Sequence, residues 1–257
     1  MQANALSETQ WKSIKKFIPE IERKRKHDLK LVFEAIFYLL ISGCQWRMLP
    51  SYYPKWQLVY YYFAKYRDEE MFEYLNDMAR EMIRQAHGKN AQCSVGIIDS
   101  QSVKTTRRGG LRGIDGNKRI KGRKRHVVVD TMGNVITNVV HVANMHDSKG
   151  ASLVFQNLKE NLCGITTIYA DCGYRGELIE QAKIKFNYDL KISPKIKDPA
   201  QGKVSPKRWI VERTFSWFEN FRRLSRDFEY LRDFEYLLES SQAMIYLASL
   251  KLLLNKI

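Results

Sequence analysis

Up to about residue 90 the apolar positions recur every three or four residues, the spacing of amphipathic helices. Ser7 and Gln10 have the spacing of a capping box ahead of Trp11, Ile14, Phe17 and Ile18, and Pro19 ends that helix. A charged connector leads to Asp28, the expected cap of a strongly apolar helix over 29–42 that Gly43 closes. Trp46-Arg47-Met48-Leu49-Pro50 reads as a turn with apolar anchors. Residues 55–66 are rich in aromatic rings: Trp56, Tyr60, Tyr61, Tyr62, Phe63 and Tyr66. Those rings suit helix packing better than base stacking. Asp68 is the expected cap of a helix over 69–86, with a stripe of Met71, Phe72, Leu75, Met78, Ala79, Met82 and Ile83. No basic recognition helix stands out in 29–63, so the pattern does not specify a helix-turn-helix.

From Gln92 the pattern changes to short apolar runs closed by polar residues, the mark of buried strands. Strands are expected over 94–99, 125–130, 135–142, 165–170 and 188–192. Helices are expected over 148–162 and 177–186, from near 207 past Glu212, and over about 234–254. Residues 194–206 form a basic, proline-containing loop. The order is three strands, helix, strand, helix, strand, then helices. It matches a ribonuclease-H-like α/β fold: a five-stranded mixed sheet with flanking helices, preceded by an all-helical N-terminal domain. The division falls at 1–90 for the helical part, with a DNA-binding or dimerisation role, and 91–257 for the sheet-bearing part. His87-Gly88-Lys89-Asn90 is the joint.

Charge changes this picture more than size does. The 257 residues carry a formal net charge of +15, which calls for a polyanionic partner, nucleic acid first. The charge is concentrated in Lys104, Arg107, Arg108, Arg112, Lys118, Arg119, Lys121, Arg123, Lys124 and Arg125, opposed there only by Asp115. Interspersed glycines make this stretch a candidate phosphate-contacting loop, though not a nucleotide-binding P-loop, since GxxxxGK[ST] is missing. The four cysteines form no CxxC pair and read as reduced thiols, against zinc binding. No apolar run approaches the roughly 20 residues of a membrane helix, and residues 1–19 lack the apolar centre of a signal peptide. A cytoplasmic protein is expected.

Two of the strand runs end alike. Ser94-Val95-Gly96-Ile97-Ile98 runs into Asp99, and Ile165-Thr166-Thr167-Ile168-Tyr169-Ala170 runs into Asp171. If the two strands are parallel neighbours, both carboxylates enter one crevice at the carboxyl end of the sheet, where open sheets bind ligands. Close carboxylates repel unless one is protonated or a cation is shared, and a divalent metal is the usual remedy. Taken singly, each aspartate also suits a turn at a strand end. Glu212 lies between Ile210, Val211, Phe215 and Trp217, and Arg208 precedes it by one helical turn. His146-Asp147 follows the third strand, with Asp147 or Ser148 better read as a helix cap than as a site residue.

Four motifs occur in order: Asp99-Ser100-Gln101-Ser102-Val103-Lys104, Gly122-Arg123-Lys124-Arg125-His126, Ala170-Asp171-Cys172-Gly173-Tyr174-Arg175-Gly176 and Arg208-Trp209-Ile210-Val211-Glu212-Arg213-Thr214-Phe215-Ser216-Trp217. With them the chain resembles bacterial DDE transposases of the insertion-sequence-five family over nearly its whole length. The resemblance implies Asp99, Asp171 and Glu212 as a catalytic, metal-binding triad, with two Mg²⁺ ions per site or Mn²⁺ in their place. It implies double-stranded DNA as partner (terminal inverted repeats and target DNA), a homodimer on DNA, and a nucleoid-associated protein. Lys104, Arg107, Arg108, Lys121, Arg123, Lys124, Arg125, Arg208, Arg213, Arg222 and Arg223 are the expected DNA contacts. The chain departs from the related Tyr-x-x-Arg-x-x-x-Glu pattern and its later basic residue: Ser205 and Glu219 occupy those places. The competing readings are a ribonuclease-H-like nuclease without strand transfer and a non-catalytic, transposase-derived DNA-binding protein.

Overall fold

The computed structural model describes residues 5–19, 27–105, 110–161, 164–193, 207–225 and 237–257. It divides into two compact units, one of residues 1–91 with 218–257 and the other of 92–217. The first unit joins the C-terminal helix to the N-terminal helices.

The helical unit contains α1 (Glu8–Lys15), α2 (Leu29–Ser42), α3 (Trp56–Asp68), α4 (Met71–Ala86) and α8 (Leu238–Leu254). The capping box at Ser7 and Gln10 forms in both directions, and Asp28 caps α2 through the Lys30 amide. Gly43 closes α2 in the left-handed conformation at φ 69°, where a side chain would be strained. Asp68 does not cap α4. It is the last residue of α3, and Glu70 in a left-handed conformation joins the two helices. Within the aromatic segment Phe63 and Tyr66 are core: Phe33 contacts the rings of Trp11, Tyr66 and Phe72, while Phe63 contacts Trp46 and Phe72. Tyr60 and Tyr61 stay exposed. Helix α8 buries Met244, Ile245, Leu247, Leu250 and Leu253 and packs on α2, α3 and α4. Being apolar all round, it belongs in a core.

The second unit is a mixed α/β structure. Among the described residues its six strands are β1 (Val95–Lys104), β2 (Gly113–Asp115), β3 (Ile120–Val129), β4 (Val135–Val142), β5 (Thr167–Ala170) and β6 (Asp189–Ile192). The path runs β2-β3-β1-β5-β6, with β4 also on β3. Strand β3 is antiparallel to β1, β2 and β4, whereas β5 is parallel to β1 and to β6. Helices α5 (Asp147–Asn161) and α6 (Glu177–Phe186) cover one face, over a core of Ile98, Val128, Ile136, Val154, Phe155, Leu158, Ile168 and Leu190. Helix α7 (Arg208–Phe218) is tied to the β3–β4 turn: Thr214 Oγ1 donates to the Gly133 carbonyl at 2.9 Å and Arg213 to the Met132 carbonyl at 3.0 Å.

Two differences from the pattern matter. Strand β1 runs five residues past Asp99, to Lys104, and β3 starts at Ile120 instead of 125. Much of the expected basic loop is therefore hairpin. The register pairs Lys104 with Gly122 and Gln101 with Arg125, and the short β2 adds a third strand beside β3. Gly122 makes that pairing feasible, because a Cβ there would lie 1.9 Å from the Val103 carbonyl oxygen.

Candidate active site

The β1–β5 ladder pairs Val95 with Thr167, Gly96 with Ile168 and Ile97 with Tyr169. The same offset, carried two places on, sets Asp171 opposite Asp99. Strand β5 ends at Ala170, so Asp171 is free to turn, and its Oδ1 accepts from the Gly173 amide at 2.8 Å. The turn role read for Asp171 from the sequence is thus present, and it fixes the carboxylate at the strand end. Asp99 is not at a strand end; it lies within β1, beyond the stretch that β5 covers.

Arg208 links the third acid to the second. Its guanidinium lies 3.8 Å from Asp171 Oδ2 and, through Nε, 3.0 Å from Glu212 Oε1. The Nε–H finds no acceptor in hydrogen-bond geometry, so the contact to Glu212 is ionic. Glu212 is half exposed; its apolar neighbours Ile210, Val211 and Phe215 turn inward without burying it.

Asp99 feels the whole group. Burial pushes its carboxyl up to about 6; the Ser100 amide, donating at 2.7 Å, and Arg208 oppose this, while Asp171 and Glu212 add to it. An all-oxygen donor set with a half-buried carboxyl under like-charge repulsion fits a hard divalent cation. Among the described residues, no three His, Cys, Asp or Glu side chains stand close enough to hold one ion together. The chemistry fits, and Arg208 balances Glu212.

The basic residues divide by burial. Arg123, Lys124 and Arg125 are 1%, 4% and 3% exposed, inside β3, which corrects their expected role as DNA contacts. Arg123 donates to the Leu111 carbonyl, and Arg125 donates twice to Gln101 Oε1. Lys124 Nζ lies 2.9 Å from Asp147 Oδ1 and 3.4 Å from Asp115 Oδ2. Asp115, the lone acid of the basic run, also accepts from Ser102 Oγ and from the amides of Asn117 and Lys118. Lys104, Lys118, Arg119 and Lys121 remain exposed. Arg107 and Arg108 lie outside the described residues. Arg213 is stacked between the Trp209 and Trp217 rings, at 4.7 and 4.6 Å from their centroids. Within the helical unit Arg222 is exposed, whereas Arg223 donates to the Cys44 carbonyl at 3.1 Å and lies over the Trp46 ring.

The sequence reading passed over a buried polar group on the α5 face of the sheet. Asp147 opens α5, but the local cap comes from His146, whose Nδ1 accepts from the Ser148 amide at 3.3 Å. Asp147 instead turns inward, and its Oδ1 accepts from Ser100 Oγ at 3.1 Å as well as from Lys124. Tyr174 OH lies 3.1 Å from His126 Nδ1, and the His126 and His141 rings stack at 5.0 Å. Burial first, then the charge of His141, hold His126 well below its ordinary pKa. The one available signal was His146-Asp147-Ser148, where two residues able to cap flank the aspartate.

A family model described as "Transposase DDE domain" matches residues 91–247, and one described as "Putative transposase of IS4/5 family" matches residues 6–76. A protein of Burkholderia cepacia, described as "Putative transposase for insertion sequence element IS402", is 30% identical over 115 residues. That match covers 42% of this chain and 54% of the relative, so the chain spans about half the length of the curated relative it matches.

Proposed function

The chain belongs to the transposase DDE domain family, and from that premise we propose that it is a DNA transposase that cuts phosphodiesters at element ends and joins the freed 3′-hydroxyl to target DNA. The observation that supports this reading is the ladder offset between β1 and β5, which, carried two places past Ile97 and Tyr169, aligns Asp171 with Asp99, while Arg208 lies against both Asp171 and Glu212. Asp99, Asp171 and Glu212 are the proposed catalytic triad on a ribonuclease-H-like fold. They would hold divalent cations, two Mg²⁺ ions or Mn²⁺, which supply Lewis acidity at the attacked phosphate and lower the pKa of bound water.

The chain's own residues do the rest. Arg208, about a third exposed, can transfer from Glu212 to a phosphate oxygen, freeing the Glu212 carboxylate for a cation. The Ser100 amide holds one oxygen of Asp99, and the Gly173 amide holds one oxygen of Asp171. Lys104, Lys118, Arg119 and Lys121 are proposed to follow the DNA backbone, whose recognition is chiefly electrostatic. Joining two ends requires two end-binding units, so a homodimer on DNA is part of the proposal. Among the described residues no helix is long and apolar enough to cross a membrane, and action on bacterial DNA would place the protein in the cytoplasm, at the nucleoid.

The test is incubation of purified protein with the DNA flanking its gene and Mg²⁺, mapping both nicks and joints. Strand transfer products support the transposase reading. Nicks without joints would leave a nuclease, and binding without nicks would leave a DNA-binding protein. Asp99→Ala should abolish cleavage while largely sparing DNA binding. Mass measurement with and without end DNA checks the dimer: a competent complex holding one chain ends that part.

A further inference from the structure

Successive side chains leave a strand on opposite faces. Ile98 points into the core beneath α5 and α6, so Ser100 follows it to that face and Asp99 leaves by the other. Ser100 is thus joined to both sides of β1: its hydroxyl donates to Asp147 Oδ1 at 3.1 Å, and its amide donates to Asp99 Oδ1 at 2.7 Å. Behind Asp147 stands Lys124, with 5% of its side chain exposed, bonded to the same Asp147 oxygen and to the Met145 carbonyl. Asp115 holds Lys124 from its other side.

We propose that Asp147 is a positioning residue of the acid site: anchored by Lys124, it holds Ser100 by the hydroxyl, and Ser100 in turn fixes the Asp99 carboxylate through its amide. The chain runs Lys124 to Asp147 to Ser100 to Asp99. A buried ammonium is a strong anchor because leaving it unpaired is costly, so Asp147 is not free to rotate away. Both bonds converge on Asp147 Oδ1, and such charge-assisted bonds are stronger than neutral ones. The placement of α5 contributes too. Gly150, one turn after Asp147, lies so close to His126 and His141 that a Cβ there would stand 2.4 and 2.6 Å from their Nε2 atoms. The first turn of α5 is thereby pressed onto β3 and β4, and Asp147 is delivered to Ser100. The second oxygen of Asp147 faces the Asp171 turn, 3.9 Å from where a Cβ on Gly173 would stand. Asp147 therefore braces one aspartate from behind and borders the turn that carries the other.

The experiment uses the full chain with Asp147→Asn, Ser100→Ala and the two together, each checked for its melting temperature. In crystal structures of both single variants the Asp99 carboxylate should leave its wild-type orientation. The Mn²⁺ dissociation constant, read by electron paramagnetic resonance, should rise about tenfold in each, the usual effect of losing an outer hydrogen-bond partner of a metal ligand. DNA cleavage should slow while DNA affinity holds. The double variant should add nothing to either single one, because both break the same chain of contacts. An unmoved Asp99 in the folded variants, or effects that add, overturns the proposal. If Asp147→Asn does not fold, Ser100→Ala, which removes one hydroxyl, decides the question. The inference rests on the transposase reading, but the two fail separately. Wild-type protein that cleaves no DNA ends the reading, whereas an Asp99 indifferent to Ser100 and Asp147 ends the positioning role.

Discussion

Lys124 Nζ stands 2.9 Å from Asp147 Oδ1, and only 5% of the lysine side chain reaches solvent. A positive charge from the most basic stretch of the chain thus serves the interior of the sheet. That relationship separates two kinds of basic residue that look identical in the sequence.

The first prediction follows from that separation. Neutralising Lys118, Arg119 and Lys121, which are exposed, should weaken DNA binding and lower its salt slope by about 0.9 for each phosphate left without its cation. Arg125→Ala should act on stability, by about 2 kcal/mol, because it leaves buried Gln101 Oε1 without its donor. Salt titrations of binding and denaturant melts distinguish the two. A lower salt slope for folded Arg125→Ala would contradict the assignment.

Asp99→Asn should stabilise the fold while removing cleavage. The Asp99 carboxyl is raised to about 6 in the folded state, against about 3.9 in an unfolded chain. Between those values the folded state binds more protons, so its stability falls as pH rises through about 4 to 6. Above that window the penalty is full, about 2 kcal/mol after allowance for partial relaxation. In metal-free buffer the variant should melt higher than wild type at pH 7.5 and equally at pH 3.5. Equal melting at both would show that the carboxylate carries no such burden.

Asp115 works in the opposite sense. Burial alone would raise its carboxyl, but the Ser102 hydroxyl, the Lys118 and Asn117 amides and Lys124 outweigh it and hold the group at about 2. Its stabilisation is present above about pH 4 and is lost as pH falls through about 2. Asp115→Asn should lose about 2 kcal/mol at pH 7, shrinking toward nothing near pH 2. A denaturant series across that range measures it.

Gly150→Ala tests the packing of α5. Alanine gains about 1 kcal/mol of helix propensity over glycine. The added methyl would meet His126 and His141 at 2.4 and 2.6 Å. Both rings are held, His126 by Tyr174 and His141 by the Val142 carbonyl. Overpacking of this kind costs about 1–3 kcal/mol, so net destabilisation is expected. A raised melting temperature would show that the histidines yield.

The sequence alone determined what short-range chemistry controls. The capping box at Ser7, the Asp28 cap and the Gly43 stop are local hydrogen-bond and dihedral requirements, and all three stand where the pattern placed them. The short apolar runs gave β4 and the core of β5, and the runs closing on Asp99 and Asp171 pointed to the pair that the ladder offset aligns. Tertiary structure decided the rest. Whether Arg123, Lys124 and Arg125 meet solvent depends on β1 continuing past Asp99 to pair with them, and a pairing partner some 20 residues away leaves no local trace. Asp147 could cap its own helix or turn inward, and the choice fell to Lys124 and Ser100, which only the folded sheet brings within reach. The physical reason is common to both: a charged side chain specifies its own chemistry, but its partner, and hence its burial and its role, is set by the long-range pairing of strands.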